Sequence, residues 1–483
     1  MVVRPCYLVM ILGMTMVPSL AAAQTSDFGL RGGLGLSGES ERDLAEGSGD
    51  QDQSQVLYGD EDADIVLEES FLLSPRRRPL SFSGKVSSVQ RVIAERRGIV
   101  NPRPNEVFDG ETQRDQARGL RLGSYLFLPQ LSQWVGWTDN AQNASGGEPD
   151  AFITTDVAFT LLSDWDRHQF STAFRGSYEA FSKDPDSNVP EGSLRSDLRL
   201  DLGNQWNVNL GADYGLSQEN RASPENPVLD GKPNSIQEFG ADISVNKELR
   251  NLNVGARAGV DRVEYGGSSS STSRDNTVFD GSLRLAFDSG AMLSPFVEGG
   301  GLVRRYQHQS STPSSFDRDT EGYFIRGGFT LDRGDKVQAQ ASVGWREETP
   351  KDARLNDLSG LLVDASLVWS PTRRNTVTGT IATNFYGTNI DDSAGSILYS
   401  GELSLAHQFH EDFVGDATLG YSIRDYEGVS ISEEEFSGSI GLEYAFSDYA
   451  AVVGRYTFSS FDSSEPNSDY TSSTIEAGLR LRR

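Results

Sequence analysis

The chain has 483 residues, a formal net charge of −27, 50 glycines and a mean hydropathy of −0.44. Past the first ~25 residues no run stays apolar for the ~18 positions that a spanning helix needs, which excludes a helical membrane protein. It does not exclude a membrane barrel, whose strands are polar at every second position. Abundant glycine, serine, asparagine and aspartate suit many turns and fit poorly with a helical enzyme. No nucleic-acid partner is expected.

Residues 1–23 read as a secretory signal peptide. Arg4 supplies the positive start, Tyr7 to Val17 the apolar core, and Ala21-Ala22-Ala23 the small-residue cleavage site before Gln24. The one cysteine, Cys6, lies inside this segment, so the mature chain is expected to carry no disulfide. That suits an oxidising periplasm.

Residues 24–119 read as a mostly disordered periplasmic extension, low in hydrophobicity and high in charge. Acids dominate first, most densely at Asp60-Glu61-Asp62-Ala63-Asp64. The sign then flips at Arg76-Arg77-Arg78, with Lys85, Arg91, Arg96 and Arg97 beyond. The aspartate spacing resembles a calcium loop, but Ile65 and Phe71 stand where glycine and glutamate are required, leaving a solvated acidic run. Asp64-Ile65-Val66-Leu67 resembles the energy-coupling box of plugged transporters. The chain is too short for a folded plug and the about 22 strands of such proteins. The basic stretch suits anionic lipid, a periplasmic partner or the acidic run beside it.

Residues 120–483 repeat one unit: a ten-residue stretch of alternating apolar and polar positions, a short turn, a second such stretch, and a longer polar loop. In Leu194-Arg195-Ser196-Asp197-Leu198-Arg199-Leu200-Asp201-Leu202, a strand sends leucines to one side and charges to the other. Lipid outside and water inside would satisfy both faces. The first strand is expected over Leu122 to Thr138. The ninth, Met292 to Tyr306, carries Pro295 and Gly299-Gly300-Gly301, which predict a bend or bulge. Alternation continues to Ile475, Ala477, Leu479 and Leu481, giving about eighteen strands, an even number as single-chain bacterial barrels have.

Short turns such as Gly203-Asn204 and Ser447-Asp448 alternate with long loops such as Ser217 to Ser235. Barrels have short periplasmic turns and long external loops, so both termini are expected in the periplasm. Trp165, Trp206 and Trp369 flank short turns, and Trp134, Trp137 and Trp345 flank long loops, which suits two interfacial belts. The expected fold is all-β: a transmembrane antiparallel up-and-down β-barrel of about eighteen strands.

Gly119-Leu120-Arg121-Leu122-Gly123-Ser124-Tyr125, Ser163-Asp164-Trp165, Trp345-Arg346-Glu347-Glu348, Asp357-Leu358-Ser359-Gly360 and Leu367-Val368-Trp369-Ser370-Pro371-Thr372 carry a resemblance. From Gly119 onward the chain resembles the outer-membrane β-barrel porin family whose members often lie near surface-polysaccharide genes. The resemblance implies an outer-membrane barrel whose substrate is generally unassigned, and brings no catalytic residues; the expected partners are outer-membrane lipid, the barrel-assembly machinery and polar solutes or polysaccharide. One departure is the ending Leu481-Arg482-Arg483, where many such barrels end on an aromatic residue read during insertion.

No Gly-x-Ser-x-Gly elbow and no His-Glu-x-x-His occurs, and His407 and His410 are three apart on a strand, on opposite faces. No enzyme, metal or cofactor is expected. The informative residues oppose the apolar face of their strands: Arg175, Glu179, Arg195, Asp197, Arg199, Asp201, Asp213, Asp242, Arg257, Asp261, Asp280, Arg284, Asp364, Glu402, Asp416, Glu443 and Arg455. Glu238, Arg424, Glu476 and Arg480 extend the set. Such charges pair across neighbouring strands or set the electrostatic filter of a pore. The sequence thus points to a channel for diffusion or export of polar solutes, with loops such as Ser217 to Ser235 folding inward to narrow it. The rival is a non-conducting scaffold that binds partners through its loops and N-terminal extension.

Overall fold

The computed structural model describes residues 119–483, apart from 166, 204, 226–232, 267–273, 288–291, 308–315, 333–335, 373 and 411. The expected signal peptide and the extension up to residue 118 lie outside the described residues. In chain order the strands are β1 (Leu120–Arg121), β2 (Tyr125–Thr138), β3 (Asp150–Ser163), β4 (Gln169–Phe181), β5 (Val189–Leu202) and β6 (Trp206–Gln218). Then come β7 (Ser235–Leu249), β8 (Leu252–Tyr265), β9 (Asn276–Phe287), β10 (Leu293–Tyr306), β11 (Thr320–Asp332) and β12 (Val337–Pro350). The last are β13 (Leu358–Thr372), β14 (Asn375–Tyr386), β15 (Ser396–His410), β16 (Phe413–Tyr426), β17 (Ser432–Ser447), β18 (Ala450–Ser463) and β19 (Tyr470–Arg482).

From β2 to β19 each strand pairs antiparallel with the next, and β19 returns to β2 through Ile475↔Trp137 and Leu481↔Leu131. These eighteen strands form a closed ring with no open edge. At ~4.8 Å spacing and about 40° tilt, such a ring is roughly 36 Å across between backbones. β19 ends opposite Gln130 of β2, and just beyond it β1 takes over the same seam with Leu120↔Phe127 and Arg121↔Leu126. Residues 122–124 make the turn between β1 and β2, so the first ring strand starts at Tyr125 rather than Leu122. The turn-in at Gly119 requires glycine: its φ is +67°, and a Cβ there would lie 2.6 Å from Leu126 Cδ1.

The burial pattern inverts that of a soluble protein. Leu283 on the outside is 64% exposed, and Leu131, Val135, Ile325 and Ile440 are exposed beside it in type. Arg326 and Glu348, facing inward, are 2% and 0% exposed. Only a hydrocarbon solvent makes such an exterior favourable, since large apolar faces left in water invite association.

Two local expectations are corrected. β10 runs without a register shift against β9 and β11, so Pro295 and the triple glycine cause no bulge. Pro295 lies beyond the first β9 partner, Phe296↔Ala286, where a missing N–H is tolerated. Gly300 admits a ring instead: a Cβ there would lie 2.7 Å from Phe324. Trp134 does not belong to an outer aromatic belt. It points inward at 1% exposure, packs on Val453 and donates from Nε1 to Asp156 at 2.8 Å. A buried indole needs such an acceptor.

Connections at one rim are short and those at the other are longer, the longest joining β6 to β7. On the long-loop rim the wall departs from a plain cylinder. Pairing of β13 with β14 stops at Ala365↔Ile381, whereas β14 stays paired with β15 up to Tyr386↔Ser396. The freed hairpin leans over the inner face of β13, where a Cβ on Gly360 would lie 2.7 Å from Ile397 Cδ1. Phe385 and Ile397 bury there with Leu358, Leu362, Phe324 and Ala394.

Candidate functional site: the barrel interior and its long-loop mouth

The alternation that turns leucines to lipid delivers charges to the interior, and antiparallel register sets opposite signs side by side. Arg195 reaches Asp213 at 2.7 Å, Asp197 at 2.5 Å and Asp242 at 3.5 Å. Arg199 pairs with Asp201 at 2.8 Å, and Arg257 with Asp280 at 2.6 Å. Arg455 lies 3.8 Å from Asp416. Glu443 accepts from both Arg480 and Arg482. Glu179 accepts from Thr154. Arg175, Asp261, Glu402, Glu238 and Glu476 occupy the same inward parity on β4, β8, β15, β7 and β19.

The most enclosed pairs lie on β10 to β13. Arg326 is clamped between Glu298 at 2.9 Å and Asp364 at 2.7 Å, and Arg284 stands 3.8 Å from the same Glu298. Arg304 forks onto both oxygens of Glu348 at 3.1 and 3.2 Å and donates to the Phe385 carbonyl at 3.0 Å. Arg346 joins Glu348 at 2.6 Å. Rings cover these guanidiniums: Phe296 lies 3.5 Å from Arg284, and Phe385 lies 4.7 Å from Arg346. Glu298, Arg304, Arg326, Arg346 and Glu348 were missed from the sequence although their inward parity was readable.

At the long-loop rim the interior is crossed. After β6 the chain runs over the β4–β5 connection, where Arg221 Nη2 donates to the Asp186 carbonyl at 2.6 Å. Ala222 then packs on Phe461 and Tyr470, on β18 and β19, and Ser223 donates to Glu433 of β17 at 3.2 Å. Glu225 meets Arg424 of β16 at 3.4 Å and Arg274, between β8 and β9, at 3.3 Å. Arg274 also grips Glu219 at 2.7 Å and lies 3.8 Å above the Tyr265 ring. Burial opposes the charge of Arg274, but Glu225 and Glu219 outweigh it and hold the guanidinium above its ordinary range. The inward-leaning hairpin joins in, since Asn389 donates to the Glu225 carbonyl at 3.2 Å. β8 and β16 lie on nearly opposite sides of the ring, so the chain Glu219–Arg274–Glu225–Arg424–Glu433 spans the mouth. No strand periodicity marks Glu219, Glu225 or Arg274, and the sequence offered only the inward-folding expectation for this loop.

The three described histidines each have separate surroundings. His407 Nδ1 lies 2.6 Å from Asn375 Oδ1, His168 Nδ1 accepts the Asp201 N–H at 3.2 Å, and His410 sits 3.7 Å from Asp412. No group of three or more His, Cys, Asp or Glu able to hold a metal occurs among the described residues.

Solved structures similar to this chain include the FrpB iron transporter of Neisseria meningitidis, at 8% identity and a TM-score of 0.40, covering 75% of this chain and 82% of that one. A variant of the ferric enterobactin receptor of Pseudomonas aeruginosa aligns at 8% identity and 0.37, over 74% and 80%. The siderophore receptor PirA of Acinetobacter baumannii aligns at 9% and 0.35, over 74% and 80%. No curated protein matches the chain. Residues 115–483, which include the whole ring, match the family described as "Putative beta-barrel porin 2", and the chain belongs to that family of outer-membrane β-barrels.

Proposed function

We propose that this barrel is a channel for polar solutes across the outer membrane, narrowed at its long-loop mouth by residues 219–225 and the β14–β15 hairpin. The carrying observation is the interior wall: charges of both signs on strand after strand, in a ring wide enough for water, behind an apolar exterior. Neighbouring guanidiniums and carboxylates give such a wall a transverse field that orders polar solutes and rejects apolar ones. No chemistry is asked of the wall, and the reading is not enzymatic. Short turns toward the periplasm put both termini on that side, with residues 24–119 as a periplasmic extension behind a cleaved signal peptide. A surface polysaccharide is the polymeric form of a polar solute that the family resemblance suggests.

Single-channel recording in planar bilayers tests this. Stable ohmic steps from the folded, heat-modifiable barrel support the channel. The ion-pair chain across the mouth favours a second reading, a closed scaffold barrel, and a silent bilayer containing correctly folded protein selects it.

A further inference from the structure

Glu225 has the geometry of an internal stand-in for a ligand. Its one oxygen Oε2 serves two guanidiniums from opposite walls, Arg274 at 3.3 Å and Arg424 at 3.4 Å, while Oε1 is buried with no hydrogen-bond partner among the described residues. Glu225 and Arg274 are 2% and 1% exposed. A buried carboxylate normally spends both oxygens on donors, and a half-satisfied one is held below its full strength.

The two arginines, by contrast, are held independently of Glu225. Arg274 is gripped by both oxygens of Glu219 at 2.7 and 2.9 Å and rests on the Tyr265 ring. Arg424 has Glu433 at 3.7 Å, Tyr426 at 3.4 Å and the Tyr386 ring at 5.4 Å. Remove Glu225 and two oriented guanidiniums remain facing one gap. Glu225 therefore bridges the two walls through a single oxygen, and its departure uncouples residue 225 from both arginines.

We propose that Arg274 and Arg424 form a binding site for the carboxylate of an acidic solute, and that Glu225 occupies this site in the unliganded barrel. An arriving carboxylate replaces Glu225 like for like. The ion pairs exchange without any covalent bond made or broken, and residue 225 is released from Arg424 while Glu219 stays on Arg274. Charge count selects a monoanion: with Glu219 and Glu433 in place the two arginines are already balanced, so a phosphate dianion adds one charge more than the resident group. The proposal deepens the channel reading and rests on it for its consequence, though the site is testable by binding alone.

The test uses the full-length protein in detergent micelles, with glucuronate as the carboxylate probe and glucose as its neutral counterpart, measured by calorimetry. Glu225→Gln is expected to bind glucuronate at least about ten-fold more tightly than the wild type, and neither protein to bind glucose. Glu225→Asp keeps the charge on a shorter arm and is expected to fall between them, which also secures a result if the glutamine variant does not fold. Adding Arg424→Gln to Glu225→Gln is expected to abolish the gain. Equal glucuronate affinity across the series overturns the site, and inorganic phosphate binding as tightly as glucuronate overturns its carboxylate assignment. Bilayer recording of the same proteins separates the two ideas. A barrel that never conducts ends the channel reading while calorimetry still decides the site.

Discussion

Arg326 and Arg195 are the same device built on two walls of one barrel. Each is an inward-facing arginine clamped by carboxylates from neighbouring strands: Arg326 by Glu298 and Asp364, Arg195 by Asp197, Asp213 and Asp242. Their surroundings differ. The side chains of Arg326 and Glu298 are each 1% exposed, whereas Arg195 is 18% and Asp197 36% exposed. The wall around Arg326 is covered by Phe324, Phe296 and the leaning β14–β15 hairpin, and the wall around Arg195 has only its own strands. Cross-strand register makes the pair in both places and leaves Asp213 and Asp242 at only 10% and 9% exposure, but the added layer of chain is what takes the arginine itself out of water.

The comparison can be broken at its strongest point first. Arg326→Ala strands two carboxylates in an enclosed wall and is expected to cost about 3–5 kcal/mol. Urea unfolding of the barrel from lipid vesicles measures it, and a loss below about 1 kcal/mol would show that the covering layer does not exclude water. Next comes the layer itself. Leu358, 1% exposed, anchors the hairpin to β13, and Leu358→Ala is expected to cost about 2–5 kcal/mol. The same variant should raise single-channel conductance as the hairpin loosens, and unchanged current with lost stability would separate packing from narrowing.

Leu283→Arg, on the lipid side of β9, probes the opposite face and is expected to cost about 2–4 kcal/mol near the bilayer midplane. The identical substitution at Ala173, an exposed inward position opposite Arg195, should be far milder, and equal costs would mean that the two faces do not meet different solvents. Arg195→Ala closes the ladder of stabilities at about 1–3 kcal/mol, since Asp197 stays in water at 36% side-chain exposure while Asp213 and Asp242, at 10% and 9%, lose a partner near burial. Its larger effect should fall on ion selectivity, read as a shift in reversal potential under a salt gradient toward cations.

A last, smaller test concerns the β4–β5 connection. The Ser187 hydroxyl, 2.6 Å from Asp184, leads the contacts that hold the Asp184 carboxyl below its ordinary range, with Gln142 and the Asp186 N–H adding to it. A lowered folded value means the stabilisation is present above the unfolded pKa and is lost as pH falls through the folded one. Limited proteolysis at this connection should therefore quicken only in strong acid, and Asp184→Asn should remove the pH dependence while leaving the ring intact.

The wall was largely readable because a strand's period of two needs no tertiary information. Leu194 to Leu202 declares both its faces, and Arg195, Asp213 and Asp242 converge because antiparallel neighbours must place them so. Parity failed only where a rule about single residues was applied to a fold-dependent position. Trp134 looked like a belt residue by type, yet its place between Gln133 and Val135 points it inward to Asp156. Pro295 and Gly300 looked like a break, yet a position beyond the last β9 pair and the Phe324 ring accommodate them. Inward charges on β10, β11 and β12 were legible and were passed over.

What the sequence determined by itself is the alternation, and with it the closed antiparallel ring, the greasy exterior and the charged interior, because side-chain direction along a strand is fixed by local backbone geometry. What only the tertiary structure decided is the mouth. Glu219, Glu225 and Arg274 sit in loops with no period, and Arg424 and Glu433 belong to strands far along the chain and across the ring. Their meeting depends on where the chain folds after the wall has closed, and no local pattern encodes a distance across a barrel.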